Sequence, residues 1–423
     1  MKNVIIAQSG GPSSVINNSL RGIIDSCKLF PGKFEKIYGA WHGIEGVLKE
    51  ELLDLTAQDK DEISLLRTTP AAGAIGTCRY KLKENQKKDF ERVLEVFKAH
   101  KIGYFFYIGG NDSQHTSFII NQLAVKAGIE LTTVGVPKTV DNDLGDNDFN
   151  LLDHSPGYGS VARYWSHIIQ TANEENSGSS TADPVLVIQA MGRKIGFIPA
   201  ATRLADPERK MPLQIYMTES KVTLNELVDK VNDQLVIDGR CIVVISEGFD
   251  VGNLGMVKDS FGHISFGSSE QSVFQTVVNL LNKKRIKARG QVMGTDQRHA
   301  MIYASTVDLD EAYKVGQKAV EIAVNDGNGW MATILREPGF IYNVRYEKVP
   351  LEKVALSERF FPEKWIAQNR IDVTDDFVKY AKPLIGEDWV SVPMINGIQR
   401  FTKFKPVFAE KKLPVYQLEA AKN

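Results

Sequence analysis

The chain reads as an α/β fold built on mostly parallel sheet, because short apolar runs alternate with amphipathic stretches over most of its 423 residues. Several of those runs are apolar on both faces and end in glycine or proline, as strands buried inside a parallel sheet do. The strand-like runs lie at 3–8, 36–41, 102–108, 131–136, 184–190, 213–217 and 241–247. Helix-like stretches lie between them, near 15–29, 88–100, 114–127, 158–174, 222–237, 270–287 and 309–325.

The first run, Val4-Ile5-Ile6-Ala7, passes through Gln8-Ser9-Gly10-Gly11-Pro12 into an amphipathic helix starting near Val15. Bare N–H groups near a helix amino end suit an anion, and the same loop also serves as a plain tight βα turn. Tyr104 to Ile108 forms a run ending in Gly109-Gly110-Asn111-Asp112-Ser113, and Leu131 to Val136 one ending in Pro137-Lys138-Thr139-Val140-Asp141-Asn142-Asp143. Both loops are expected at the carboxyl edge of the sheet, where open α/β folds bind ligands. Their small backbone, lysine and carboxylates suit phosphoryl transfer.

Composition narrows the function class. Hydrophobic residues make up 43% and charged residues 24%, as in a globular enzyme, and 51 basic side chains balance 52 acidic ones. That balance provides no bulk positive field for nucleic acid or an anionic membrane. Cys27, Cys78 and Cys241 are widely spaced, with neither a Cys-x-x-Cys pair nor a His-Glu-x-x-His, so no disulfide framework or zinc site is expected. No basic leader or long apolar run precedes the first strand, and the expectation is a cytoplasmic protein. There is no internal repeat; Asn173 to Thr181 reads as a surface connection, and a lobe boundary is placed near 150–156.

Two familiar phosphate signatures do not apply. Gly157-Tyr158-Gly159-Ser160-Val161-Ala162 has dinucleotide spacing but follows Asp153-His154-Ser155-Pro156 instead of an apolar strand, and no P-loop occurs. A phosphate site must then use the glycine loops, Lys138, and arginines among Arg79, Arg193, Arg289 and Arg298. Asp141 and Asp143 lie two apart on an extended loop, which suits one as a proton acceptor and the other as a metal ligand. Asp-Asn-Asp is equally a good local turn, and Asn111 or Asp112 a good amino cap.

Together these segments resemble the phosphofructokinase family, in its pyrophosphate-dependent branch, over about residues 1–350. The matching motifs are Ser9-Gly10-Gly11, Gly76 to Arg79, Gly109 to Ser113, Pro137 to Asp143, Pro156 to Ser160, Met191-Gly192-Arg193, Ser246-Glu247-Gly248-Phe249 and Gln297-Arg298. The resemblance implies two Rossmann-like three-layer α/β/α lobes with the active site in the cleft between them. The phosphate-donor lobe would comprise 1–153 with about 298–350. The sugar-phosphate lobe would comprise 154–297 with about 351–423 as a C-terminal extension.

It further implies reversible transfer from pyrophosphate to the 1-hydroxyl of fructose 6-phosphate, giving fructose 1,6-bisphosphate and orthophosphate, with Mg²⁺. Asp141 becomes the general base, a role worth about 10²–10⁴-fold, and Asp143 supports it and the metal. Thr139 lies beside the transferred phosphoryl group and Lys138 stabilises the leaving orthophosphate, while Arg193, Gly11 and Arg79 neutralise donor charge alongside Gly110, Asp112 and Ser113. Glu247, Met191 and Gly192 take the sugar hydroxyls and Arg298 the 6-phosphate. Tyr342 and Arg345 fit a late Tyr-x-x-Arg contact to the sugar phosphate, and Arg289 reaches a neighbouring subunit's site, which implies a homodimer or homotetramer.

Donor choice rests on two positions. Asp112 stands where the ATP enzymes carry glycine and adds bulk and negative charge toward a nucleotide, and Lys138 likewise replaces a glycine. The chain departs from the common pattern at Asn111, often a metal-binding aspartate, at Thr295, often histidine, and at Pro184, often an intersubunit arginine. The rival readings are an ATP-dependent enzyme and a catalytically silent regulatory subunit that binds sugar phosphate. Sedoheptulose 7-phosphate is an alternative acceptor. The segment 351–423 lies outside the resemblance, and its Trp365 and Trp389 point to packing on the second lobe or another subunit.

Overall fold

The apolar runs become strands because only a fully paired backbone can be buried so deeply: Val4, Ile5, Ile6 and Ala7 have no exposed surface, and neither have Phe105, Phe106 and Val134. The computed structural model describes residues 1–80, 82, 86–252, 272–355 and 357–418. Its strands are β1 (Lys2–Gln8), β2 (Phe34–Ala40), β3 (Leu52–Asp54), β4 (Ile102–Gly109), β5 (Thr132–Pro137), β6 (Val185–Ala190), β7 (Leu213–Tyr216), β8 (Cys241–Ser246), β9 (Ala288–Val292), β10 (Trp330–Arg336) and β11 (Val344–Pro350).

The chain divides into two compact units, Met1–Gly157 with Asp308–Arg359 and Val390–Asn423, and Tyr158–Val307 with Phe360–Trp389. Among the described residues, unit 1 holds a seven-stranded sheet in the order β11-β10-β5-β4-β1-β2-β3, with β5, β4, β1 and β2 parallel neighbours. The chain leaves β1 toward β2 on one side and returns to β4 on the other, so the order reverses between β1 and β4. Unit 2 holds a four-stranded parallel sheet, β7-β8-β6-β9. Both sheets match the α/β expectation. The helices mostly fall where the periodicity puts them, for example Ile16–Cys27, Lys87–Ala99, Asn111–Lys126 and Thr306–Asn325. The stretch expected at 270–287 is the helix Val273–Lys283, residues 270 and 271 lying outside the described set.

Strands β3, β9, β10 and β11 were not foreseen. β9 and β11 are half-buried, with no continuous apolar run: Ala-Arg-Gly-Gln-Val, and Val-Arg-Tyr-Glu-Lys-Val-Pro, which pairs with β10 in antiparallel register as an edge strand. The tail also divides differently from the expected block 351–423. Residues 390–418 stay with unit 1, because the buried Glu50 carboxylate accepts the backbone N–H groups of Lys412 (2.9 Å) and Leu413 (3.0 Å), and Tyr416 donates to Asp89 (2.7 Å). Residues 360–389 belong to unit 2, where Trp365 packs among Phe197, Phe361, Phe377 and Tyr380. No helix among the described residues is long and apolar enough to cross a membrane.

A largely buried ionic chain lies within unit 1. His154 bonds Asp153 through Nδ1 (2.8 Å) and Glu311 through Nε2 (2.6 Å); Arg336 donates to Asp153 (3.0 Å), and the Tyr342 hydroxyl donates to Glu311 (2.5 Å). Burial alone would lower the His154 pKa, but the Glu311 charge and the bonds to both carboxylates hold it up at about 9. Folding therefore takes up a proton here: the stabilisation is complete below the ordinary value of 6.5 and is lost as pH rises through about 9. Urea midpoints of the wild type should fall across that window, and the fall should be shallower in His154→Gln.

Candidate active site

Three loops meet at the carboxyl ends of adjacent strands in unit 1. After β1 the chain turns at Gly10, whose φ of 79° is left-handed. Its N–H donates to the Cys78 carbonyl at 2.9 Å and its own carbonyl accepts the Thr77 hydroxyl at 3.0 Å. Ser9 and Cys78 form a parallel bridge, so Gly76 to Arg79 lies along the first glycine loop with Arg79 exposed. Gly11 and Arg79, 68 residues apart in sequence, are thereby neighbours along one seam.

After β4 the helix Asn111–Lys126 starts at once, with Gly110 at its amino cap and no side-chain cap. Gly110, and neither Asn111 nor Asp112, stands at the cap position. Asp112 is exposed in the first turn, and Ser113 is buried behind it. The Asn111 amide donates to the Asp143 carbonyl (3.2 Å), while its Oδ1 is buried with no hydrogen-bond partner. A buried orphan carbonyl oxygen is uncommon, and it is the ligand type that hard cations take.

After β5 the backbone N–H of Lys138, a residue only 3% exposed, reaches the Gly109 carbonyl (3.1 Å), and its ammonium donates to the Gly11 carbonyl at 2.6 Å. The first and third loops are thus tied by one side chain. Thr139 organises the rest: its hydroxyl donates to Asp143 Oδ1 and accepts the Asp141 N–H, each at 3.1 Å. Asn142 takes a left-handed φ of 57°, and its amide oxygen accepts the Ser155 N–H at 2.9 Å. Thr139 also donates through its backbone to Pro156 (3.2 Å) and bridges Gly157. The chain bends at Val140 and Asp141, and Asp141 and Asp143 lie partly exposed on either side of a buried Asn142.

The second set lies at the carboxyl edge of the unit 2 sheet. Met191-Gly192-Arg193 follows β6, with its Met191 N–H donated to Gln297 Oε1 (3.1 Å) and its Arg193 N–H donated to Glu247 Oε1 (2.9 Å). Glu247 follows β8, and its N–H donates to the Ala190 carbonyl at 2.9 Å. Burial pushes the Glu247 carboxyl above its usual pKa, opposed by N–H bonds from Arg193 and Gly192 and by the charges of Arg193 and Arg298. Arg298 sits in the short helix Asp296–Arg298 beyond β9, close enough to act on that carboxylate.

Three further predicted residues have other partners. Arg289, on β9, lies 3.4 Å from both Glu175 and Asp183. Tyr342 and Arg345 belong to unit 1, Tyr342 in the ionic chain above and Arg345 exposed on β11. Of the residues that hold the loops, Gln297, which also accepts the Trp165 indole N–H (3.0 Å), and Asn142 lay inside the quoted motifs without a role of their own, and Glu219, whose Oε1 accepts the Gly196 N–H at 3.0 Å, was missed. The left-handed Asn142 had one visible signal, an asparagine between two aspartates.

A family profile described as Phosphofructokinase matches residues 3–323. The chain belongs to the phosphofructokinase family. A pyrophosphate--fructose 6-phosphate 1-phosphotransferase of Halomonas elongata is 37% identical over 98% of this chain and 99% of its own length. Crystal structures of pyrophosphate-dependent phosphofructokinases from Marinobacter aquaeolei and Nitrosospira multiformis are 35% and 37% identical and superpose with a TM-score of 0.87 each, covering 99% and 98% of this chain and all of theirs.

In this chain the approach of β4 to its helix leaves no room at Gly109, where a Cβ would sit 2.1 Å from Ser113 Oγ and 3.2 Å from Ser9 Cβ. Gly109→Ala should lose about 1–3 kcal/mol by overpacking, read from urea unfolding.

Proposed function

We propose that the protein transfers a phosphoryl group reversibly between pyrophosphate and the 1-hydroxyl of fructose 6-phosphate, the reaction named for its full-length relatives. The observation that carries the donor assignment is the Lys138 ammonium, buried between the first and third loops at 2.6 Å from the Gly11 carbonyl. A fixed cation there stabilises charge on a departing orthophosphate without rearrangement during the reaction. Asp112, exposed on the first turn of its helix, places bulk and negative charge where a nucleotide's further phosphate would have to pass.

In this reading the unit 1 set serves the donor and the unit 2 set the sugar phosphate. Asp141 accepts the proton of the 1-hydroxyl as that oxygen attacks phosphorus, on a loop already locked by Thr139 and Asn142. Gly11, Arg79, Gly110, Ser113 and Arg193 hold the donor. Glu247 and the Met191-Gly192 backbone meet the sugar hydroxyls, and Arg298 the 6-phosphate, with Tyr342 and Arg345 as further contacts. Arg289 serves a neighbouring subunit's site in a homodimer or homotetramer.

Mg²⁺ fits the donor set: the partnerless Oδ1 of Asn111 with the carboxylates of Asp141 and Asp143 supplies three hard oxygens on adjoining loops. Phosphate oxygens and waters would complete the shell, as is usual for this ion. When bound, the cation neutralises the phosphate oxygens. The protein's own part is to position the nucleophile, take its proton and compensate the leaving charge.

Initial rates of fructose 1,6-bisphosphate formation with Mg²⁺ should show turnover with pyrophosphate and little with ATP, and predominant ATP turnover would overturn the donor assignment. Asp141→Asn should lower kcat by about 10²–10⁴-fold with KM little changed. The double variant Asp112→Gly, Lys138→Gly should gain ATP turnover, and its failure to do so would remove these two residues as the selectivity determinant. No turnover by the wild type with either donor would favour a silent sugar-phosphate-binding subunit.

A further inference from the structure

We infer that Arg359 is a positioning residue for the Asp141–Asp143 loop, an inference that rests on the catalytic reading of those aspartates. Arg359 lies in the segment beyond the family match, at the point where the chain leaves unit 1 for the last time before residue 390. It is completely buried. Its own N–H donates to the Asp143 carbonyl at 2.9 Å. Its guanidinium donates to the carbonyls of Asp146 (Nε, 3.0 Å) and Asp153 (Nη1, 2.9 Å), and through Nη2 to that of Leu152.

The loop 143–153 is wrapped around this one cation. Phe149, at a left-handed φ of 60°, lays its ring 4.2 Å from the guanidinium carbon, and the Asp146 carboxylate accepts the N–H groups of Asn150 (3.1 Å) and Leu151 (2.7 Å) from within the loop. Gly145 makes the room: its φ is 104°, and a Cβ there would lie 2.8 Å from Arg359 Nη2. Both ends of the wrapped loop feed the site. Asp143 is at one end, and at the other Ser155, Pro156 and Gly157 return to Asn142 and Thr139.

A buried guanidinium costs several kcal/mol unless its donors are met, and here three carbonyls of a single loop meet them. A residue retained only to fill space would serve as well with an apolar side chain. The planar fork fixes the relative positions of residues 146, 152 and 153, which an ammonium, a single point donor, cannot do, while the backbone N–H of Arg359 holds residue 143 beside them. Misplacement of a reacting group by about 1 Å costs about 10²-fold, so the effect should appear in kcat and not in ground-state binding.

The test compares wild type, Arg359→Ala and Arg359→Lys as full-length proteins, by steady-state kinetics and by amide hydrogen exchange of 143–153. The expected result is a kcat lowered about 10- to 100-fold with KM for pyrophosphate and fructose 6-phosphate nearly unchanged. Exchange at 143–153 should be faster with other segments unaffected, and millimolar guanidinium should restore part of the kcat of Arg359→Ala but not of Arg359→Lys. Wild-type kcat in either folded variant, or unchanged exchange at 143–153, would overturn the inference. So would failure of both variants to fold, which would make the residue purely structural. If the wild type itself lacks turnover with either donor, the functional reading fails by itself, and the exchange comparison alone decides whether Arg359 clamps the loop.

Discussion

The 138–143 loop carries both candidate aspartates, and its shape follows from hydrogen bonds that reach well outside its own residues. Lys138 ties it to the loop after β1, the Lys138 backbone ties it to the end of β4, and Thr139 and Asn142 fasten it to Ser155, Pro156 and Gly157. Without these bonds Asp-Asn-Asp would be an ordinary solvated turn. With them, Asn142 is held at a positive φ that its neighbours over-determine, the usual condition for local strain at a functional site. Pre-organisation of this kind matters for phosphoryl transfer, where the protein contributes mainly position and charge.

The same economy holds in unit 2. Glu247 is held among the N–H groups of the Met191-Gly192-Arg193 loop, and Gly248 allows the approach, since a Cβ there would lie 1.7 Å from the Arg193 carbonyl. Glycines at 109, 145 and 248 mark places where the backbone comes too close for any side chain to, in turn, a serine side chain, a guanidinium and a second backbone. The polar machinery of each unit is therefore built on a few close approaches that only a twisted parallel sheet with loops at one edge provides.

The tail shows how far a fold can rely on polar anchoring. Residues 400–416 contribute few large buried apolar groups, yet they are fixed to unit 1 through Glu50, Glu62, Asp89 and Arg92. Buried carboxylates accepting main-chain N–H groups can hold an irregular strap where an amphipathic pattern is missing. Periodicity in hydrophobicity carries no trace of such a strap, which is why the C-terminal segment was unreadable in detail.

The α/β class, the buried strands β1, β4, β5, β6 and β8, the helices between them and the loops that carry Gly11, Gly110, Lys138, Asp141, Met191 and Glu247 were all legible in the sequence. Apolar runs and glycine-led turns are local signals, and the motifs lie within them. Strands β9 and β11 were hidden because sheet edges alternate in polarity, and the division of the tail was hidden because it depends on single ion-to-backbone bonds. Only the tertiary structure decided that Gly11 and Arg79 share a seam, that Asn111 carries a buried orphan oxygen, and that Arg359 sits inside the loop after Asp143. Each of these depends on how residues far apart in the chain pack together, and hydrogen-bond geometry between distant segments leaves no periodicity for a sequence to display.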